Sequence, residues 1–410
     1  MDLKSGYPFW AVKNGLLNTF PKLSRDHQSE VVVIGGGITG ALIADELSRH
    51  GHQVVVLERR DIGWGSSAAS TALLQYEIDT HMTELAERYG EAEAVLAYRA
   101  CAEAIGELET LAAGLGDVDF ERQQSLYYAS NEEDVASLKE ELALRQKHGF
   151  DASWLDRAAV LTEYGFAAPG AILTQLAASI DPYRMAYQLF AKVVERGGEV
   201  YDRTQMETMT PDAQGVTLTL SNGAALRCQY VVMAAGYESQ AWLPELVATN
   251  RSSYALITDP LPPEALGKLR HTMVWESARP YLYMRTTRDG RLLVGGDDDG
   301  EDIPKRRDAR VEEKAEGLAR KVEELWPKLD INPTFSWGGT FAETDDGLPF
   351  FGSHDAFGPR VQFAMAYGGN GISYSMIGAK LLRAFIEGKE HPLAKLFSFQ
   401  RLERLPSKTV

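Results

Sequence analysis

The spacing of apolar and polar positions changes repeatedly along this chain, and each change marks an element. Val31-Val-Val-Ile34 and Gln53-Val-Val-Val-Leu57 are short apolar runs of strand type. Between them Gly35-x-Gly37-x-x-Gly40 opens a helix-like segment that reaches Arg49, with Gly51 as its stop. Helical spacing is also predicted over Thr83 to Leu111, and over Asn131 to Lys147, where Asn131 and Asp134 resemble a capping pair and Gly149 a terminator. A further helix, Pro182 to Arg196, is ended by Gly197-Gly198 and leads to a strand near Val200, a hairpin turning at Asn222-Gly223, and the apolar strand Tyr230 to Ala234. Tyr254 to Asp297 alternates as antiparallel strands do, with Arg288-Asp289-Gly290 as a hairpin turn. Val311, Ala315, Leu318, Val322 and Leu325 share one helix face before Pro327. Val361 to Ala366 reads as a last buried strand, followed by Gly368-Gly-Asn-Gly371 and a helix reaching Glu387, with Gly388 past its end.

The order of these elements predicts two interleaved domains. A chain of 410 residues exceeds what one simple core needs. The expected division gives residues 30–80, 175–240 and 335–400 to a nucleotide-binding domain, and 81–174 and 241–334 to a substrate domain. Residues 1–29 form an N-terminal arm and 401–410 a tail.

Composition narrows the partners. Lys and Arg total 42 against 58 Asp and Glu, a formal charge of −16, so nucleic acid and anionic lipid are repelled. Cys101 and Cys228 share no metal spacing and read as the reduced thiols of a cytoplasmic protein. No window approaches the ~18 apolar residues of a membrane span. The acidic run Asp297 to Asp302 lacks the ligand spacing of a calcium loop and reads as solvated.

The first strand, glycine turn, helix and second strand compose a complete dinucleotide-binding unit. Gly35 permits the tight turn, Gly37 lets a pyrophosphate approach the backbone, and Gly40 lets helix and strand pack closely. The helix N-terminus, with Ile38 and Thr39, offers N–H donors and a positive dipole end. Glu58, at the end of the second strand and next to Arg59, is placed to accept from a ribose.

Four further segments carry a resemblance. They are Gly63-Trp-Gly-Ser-Ser-Ala-Ala-Ser-Thr71, Ala177-Ala-Ser-Ile-Asp-Pro182, Ala234-Ala-Gly236-Tyr237, and the stretch from Trp337-Gly-Gly to Asp346-Gly-Leu-Pro349, which precedes Gly368-Gly-Asn-Gly-Ile372. In this order, from about Glu30 to Glu387, they resemble the FAD-dependent oxidoreductases of the D-amino-acid oxidase family, which includes glycine, sarcosine and γ-glutamylputrescine oxidases. The resemblance implies an α/β fold: a Rossmann-like FAD-binding domain of the GR2 type, interleaved with an α+β substrate domain built on an antiparallel sheet. It implies FAD, and the absence of a second strand-glycine-helix unit agrees, since a nicotinamide nucleotide has nowhere comparable to dock. Ser66, Ser67 and Thr71 are expected along the ribityl and ring edge, Met206 near the adenine, and Ala235, Gly236, Gly347 and Leu348 elsewhere against the cofactor. Gly369, Asn370, Gly371 and Ile372 bring the positive end of the last helix toward the ring, where charge gathers on reduction.

The chain departs from these relatives where they clamp a substrate carboxylate. The position matching an arginine of glycine and D-amino-acid oxidases is Phe341, and the position matching that of sarcosine oxidases is Gln75. Neither replaces a bidentate guanidinium. Arg285 is the candidate replacement anion ligand, or else a salt-bridge residue, with Tyr283, Tyr254 and Trp275 as pocket walls. Positions that tether flavin in some relatives hold Gly339, Ser67 and Ala68, which implies non-covalent FAD. Leu293 stands near the place of an oxygen-activating lysine. The expected activity is oxidation of the C–N bond of a small-molecule amine or N-substituted amino compound to an imine, by hydride transfer to flavin N5, with oxygen or another acceptor taking the electrons. The alternatives are a dehydrogenase delivering electrons to a quinone or protein, a non-enzymatic FAD-binding protein, and a nicotinamide-driven monooxygenase.

Overall fold

The computed structural model describes residues 2–405. Among these residues the strands form two sheets, one of eight strands and one of ten. The eight-stranded sheet is centred on His27–Ile34, which pairs in parallel with Val54–Leu57 on one side and Ala225–Met233 on the other. Glu199–Tyr201 extends it beyond the first of these and Val361–Met365 beyond the second, both in parallel. Alternation explains why the central strands are apolar throughout: Val31 and Val33 enter one core cluster while Val32 and Ile34 enter another on the opposite face. Helices Ile38–Arg49, Pro182–Glu195 and Gly371–Ile386 pack together over one face. Asp181 caps the second of these by accepting the Arg184 N–H at 2.9 Å, with Pro182 in the first turn.

The ten-stranded sheet runs Lys4–Gly6, Pro333–Glu343, Thr249–Pro260, Arg291–Asp299, Leu282–Thr286, Thr272–Glu276, Glu121–Tyr128, Gly170–Ser179 and Leu73–Gln75, with Ala152–Asp156 also on Gly170–Ser179. Its pairs are antiparallel except Thr272–Glu276 with Glu121–Tyr128, which run parallel.

Sheet membership departs from the expected division at several places. Leu73–Gln75, Gly170–Ser179 and Pro333–Glu343, expected wholly or partly in the nucleotide-binding domain, belong to the ten-stranded sheet. The N-terminal arm is an edge strand of that sheet through Lys4–Gly6, and Trp10, only 1% exposed, donates its indole N–H to the Ser70 carbonyl at 2.7 Å. The expected tail begins as structure too. Arg401 is buried and donates to the carbonyls of Leu348, Pro349 and Leu396, while residues 406–410 lie outside the described residues. The helix expected over Thr83 to Leu111 is two helices, Met82–Tyr89 and Glu91–Ala113, because Gly90 takes φ +93° between them. A glycine adopts that left-handed conformation without the penalty a side chain carries, so the chain turns although the apolar spacing continues.

Helix Ile38–Arg49 is seated by Gly40, where a Cβ would stand 1.9 Å from the Gly35 carbonyl oxygen. Because that oxygen belongs to backbone, Gly40→Ala is expected to lower the unfolding free energy by about 3 kcal/mol. An unshifted urea denaturation midpoint would show that the helix is free to move away.

Candidate active site

A cavity of about 590 Å³ is lined by residues of both sheets. That volume lies within the ~300–1,000 Å³ of small-molecule and cofactor sites. The Gly35–Gly40 turn forms part of one end. Gly35 holds φ +121°, and a Cβ there would stand 2.2 Å from the Ala234 carbonyl oxygen. At Gly37 a Cβ would meet the Ser67 hydroxyl at 3.0 Å. Ser67 Oγ accepts the Ile38 N–H at 2.8 Å, so a loop distant in sequence caps this helix. The neighbouring Ser66 lines the cavity, and its Oγ is buried without a hydrogen-bond partner. Glu58 accepts the N–H groups of Gly36 and Arg60, both at 2.7 Å. Burial raises its carboxyl above the ordinary range, and these two N–H bonds oppose the rise.

The second glycine turn opens on the same cavity. Asn370 donates its amide to the carbonyls of Gln75 at 3.0 Å and Glu77 at 2.9 Å, and the Gly369 N–H donates to Asp79 Oδ2 at 2.9 Å. The hydroxyls of Thr39 and Ser375 lie 2.8 Å apart, which joins the first turns of the two helices. One cavity wall is therefore built from two helix N-termini, with first-turn N–H groups that have no intrahelical acceptor and positive dipole ends.

The other end is aromatic and acidic. Trp275 stacks on Tyr127 with centroids 3.7 Å apart and planes 11° apart, and its indole N–H donates to Ser125 Oγ at 3.0 Å. The Tyr283 hydroxyl lies 3.3 Å from Ser253 Oγ, and burial pushes the phenol up to about 12, so it is neutral. Tyr281 reaches Asp79 Oδ1 at 3.4 Å. Asp298 and Phe341 complete this end.

A model of the FAD dependent oxidoreductase family matches residues 30–384. The chain belongs to this family. It is 26% identical over 380 residues to glycine oxidase of Geobacillus kaustophilus (strain HTA426), covering 89% of this chain and 94% of that protein. With γ-glutamylputrescine oxidoreductase of Escherichia coli (strain K12) it shares 24% identity over 394 residues, covering 93% and 88%. The crystal structure of glycine oxidase from Geobacillus kaustophilus superposes with a TM-score of 0.77 at 23% identity, over 92% of this chain and 99% of that one. That of L-proline dehydrogenase from P. horikoshii gives 0.75 at 18% identity, over 92% and 99%. The cofactor of this FAD-dependent oxidoreductase fits the cavity in kind: two glycine turns without side chains, helix N-termini for phosphate, and an orphaned Ser66 hydroxyl.

Most residues expected against the cofactor line this cavity, including Thr71, Met206, Ala235 and Ile372, with three exceptions. Gly40 lies behind the turn and serves packing. Gly347, at φ +69°, and Leu348 lie outside the cavity. The Gly347 carbonyl accepts from the Tyr374 hydroxyl at 2.7 Å, and Leu348, fully buried, is bound by Asp346 and Arg401. They support the second glycine turn from behind.

The expectation for Arg285 requires correction. It is 2% exposed and does not line the cavity. Its guanidinium donates to the carbonyls of Thr71 at 2.7 Å, Ile180 at 3.1 Å and Thr286 at 3.3 Å, and lies 5.3 Å over the Trp10 ring. Strand alternation does put Arg285 on the face of Tyr281 and Tyr283, but the N-terminal segment and the Thr71 loop close the cavity before reaching it. Burial pushes its guanidinium down to about 10. Tyr283 and Tyr254 do line the cavity, although the Tyr254 hydroxyl is engaged by Asp299 at 3.3 Å. Phe341 and Gln75 also line it, so both positions at which relatives were expected to place an arginine reach the cavity without one. Sequence reasoning missed Asp79, Tyr237, Tyr281 and Asp298 as lining residues. The alternation of Tyr281 with Tyr283 was an available signal; nothing local marked the two aspartates.

Arg285→Ala leaves buried carbonyls without donors, each costing about 1–3 kcal/mol, so a loss of about 3 kcal/mol in urea unfolding is expected. A variant as stable as the parent would return Arg285 to the list of substrate ligands.

Proposed function

We propose that this FAD-dependent oxidoreductase oxidises the C–N bond of a small amine, or of an N-substituted amino compound, to an imine that water then hydrolyses. The observation that carries the reading is one continuous cavity that runs from the Gly35–Gly40 turn to an aromatic, acidic chamber, with Asp79 joining that chamber to the second glycine turn. In support, glycine oxidase and γ-glutamylputrescine oxidoreductase, which this chain resembles over most of its length, are named for amine or amino-acid chemistry.

In this reading Gly35, Gly37, Ile38 and Thr39 receive the pyrophosphate, and Glu58 and Arg59 the adenosine side with Met206. Both Glu58 oxygens already accept one N–H each, and each retains a lone pair for a ribose hydroxyl. Ser66, Ser67 and Thr71 serve the ribityl edge, and Gly369, Asn370, Gly371 and Ile372 the ring. Bound FAD supplies the two-electron acceptor. The protein's part is positional: Trp275, Tyr281 and Tyr283 hold the amine's α-carbon in place and exclude water from it. The reacting nitrogen is uncharged when its lone pair drives the step, so no side chain has to act as base. With Phe341 and Gln75 in place of guanidinium groups, a carboxylate clamp is not part of this reading.

The position of Leu293 is fully buried and outside the cavity, so it brings no group to oxygen. Oxygen and a separate electron carrier are distinguished by mixing the reduced protein with air. Among the described residues no helix is long and apolar enough to cross a membrane. We place the protein in the cytoplasm, a reading that its two buried, unpaired cysteines support.

Anaerobic mixing of the holoprotein with primary and secondary amines, N-methyl amino acids and polyamine conjugates is expected to bleach the flavin within the dead time to seconds range for a true substrate. Full retention of the oxidised spectrum with every amine class would refute the reading.

A further inference from the structure

Asp298 is set apart from the acids on either side of it. Asp297 turns to Lys314 at 3.0 Å and Lys321 at 3.3 Å, and Asp299 to Arg310 at 2.8 Å. Asp298 lines the cavity instead. A β-bulge makes the difference. Asp299 pairs with Ser252 and Gly296 with Tyr254, so Asp297 and Asp298 together oppose Ser253. Asp297 takes φ +54° at this point. Bulges re-aim side chains, and a non-glycine residue is held at positive φ only where its surroundings enforce it.

The re-aimed carboxyl has an unusual environment. Its Oδ1 is sealed from solvent without a hydrogen-bond partner. The same end of the cavity carries Tyr281 and Tyr283, whose ring centroids are 5.5 Å apart, together with Trp275, Asp79 and the Ser253 hydroxyl. The cations that line the cavity, Arg59 and Arg60, both follow Glu58 at the dinucleotide end. The Ser253 hydroxyl bonds this carboxyl but leaves Oδ1 without a partner, which is costly for a buried carboxylate, and aromatic faces attract cations, so this chamber is complementary to positive charge.

We propose that Asp298, with the walls formed by Tyr281 and Tyr283, receives a charged ammonium group of the substrate, which makes the substrate a diamine or longer polyamine held through a second nitrogen. The proposal rests on the amine-oxidation reading of this same cavity. The uncharged nitrogen is the one oxidised, and the charged one is the handle.

The groups facing Asp298 are Asp79 from the loop after Leu73–Gln75, Glu343 from Pro333–Glu343, and Tyr281, Tyr283 and Arg279 from the segment around Leu282–Thr286. Arg279 is not in the cavity lining; it covers the Tyr281 ring at 4.3 Å and donates to the Asp79 carbonyl at 3.2 Å. Burial pushes the Asp298 carboxyl up to about 7; the Ser253 hydroxyl and Arg279 oppose the rise, and Glu343 and Asp79 add to it. The carboxyl is therefore neutral below that pH and anionic above it, and cation affinity rises with pH through this range.

The test is calorimetric titration of the holoprotein with tetramethylammonium, which binds as a cation and has no lone pair to be oxidised, and with acetate as the anionic counterpart. Expected is tetramethylammonium affinity that rises with pH, falls about tenfold or more in Asp298→Asn, and is unchanged in Asp299→Asn. The flavin spectrum of each variant reports that it is folded and loaded. Acetate binding tighter than tetramethylammonium, or equal cation affinity in Asp298→Asn and the parent, overturns the proposal. Cation binding through Asp298 in a protein that no amine bleaches would defeat amine oxidation and leave the cation site standing. Bleaching by monoamines with cation binding indifferent to Asp298 would defeat the site alone.

Discussion

The contact of Gly40 with the Gly35 carbonyl governs the geometry of the site. With a Cβ position 1.9 Å from that oxygen, the helix begins directly against the strand end, and no larger residue permits the same approach. This closeness leaves the turn with its backbone, not side chains, toward the cavity. Ser67 then completes the helix start by accepting the Ile38 N–H, so the loop after Val54–Leu57 is drawn to the turn by a hydrogen bond the helix requires.

The cavity's second wall depends on a different set of bonds. The turn before Gly371–Ile386 is fastened to the loop after Leu73–Gln75 by Asn370 on two carbonyls and by Gly369 on Asp79. That loop is itself held by Glu141, which accepts the N–H groups of Met82 and Thr83, both at 3.0 Å, and pairs with buried Arg145 at 2.7 Å. Such a buried pair does not need to be a net source of stability to fix geometry; what it does is make every other placement of the loop leave a charge unpaired. Asp79 thus reaches the cavity because a charge cluster outside the cavity fixes its loop.

Charge is distributed unevenly along the cavity as a result. At the dinucleotide end Arg59 and Arg60 stand among Glu58, Glu207 and Glu238, with Arg59 paired to Glu238, whereas Asp79 and Asp298 stand at the aromatic end without a cation in the lining. Arginines and helix N-termini suit a phosphate-bearing cofactor, and acids without a lining cation suit a cationic amine. The two ends differ in their cations because they are built from different sheets, and each sheet's side chains are fixed by its own packing.

The local sequence determined the dinucleotide unit almost completely, because every part of it, strand, glycine turn, helix, strand and acid, follows from conformational limits of adjacent residues. It also determined the hairpins at Asn222-Gly223 and Arg288-Asp289-Gly290, the start of a helix at Pro182, and the apolar character of the central strands. Sheet membership of Pro333–Glu343 and of the N-terminal segment was decided by long-range pairing, since an edge strand carries no local sign of which sheet it joins. The same holds for the side chains that reach the chamber. Arg285 was marked as a candidate by alternation and charge and Asp298 lay in a run that reads as solvated, yet the first is closed off by Trp10 and three carbonyls while a single bulge turns the second inward. Short-range preferences fix where the backbone bends; only the assembled fold decides which side chains are left facing the cavity, because that depends on neighbours far away in the chain.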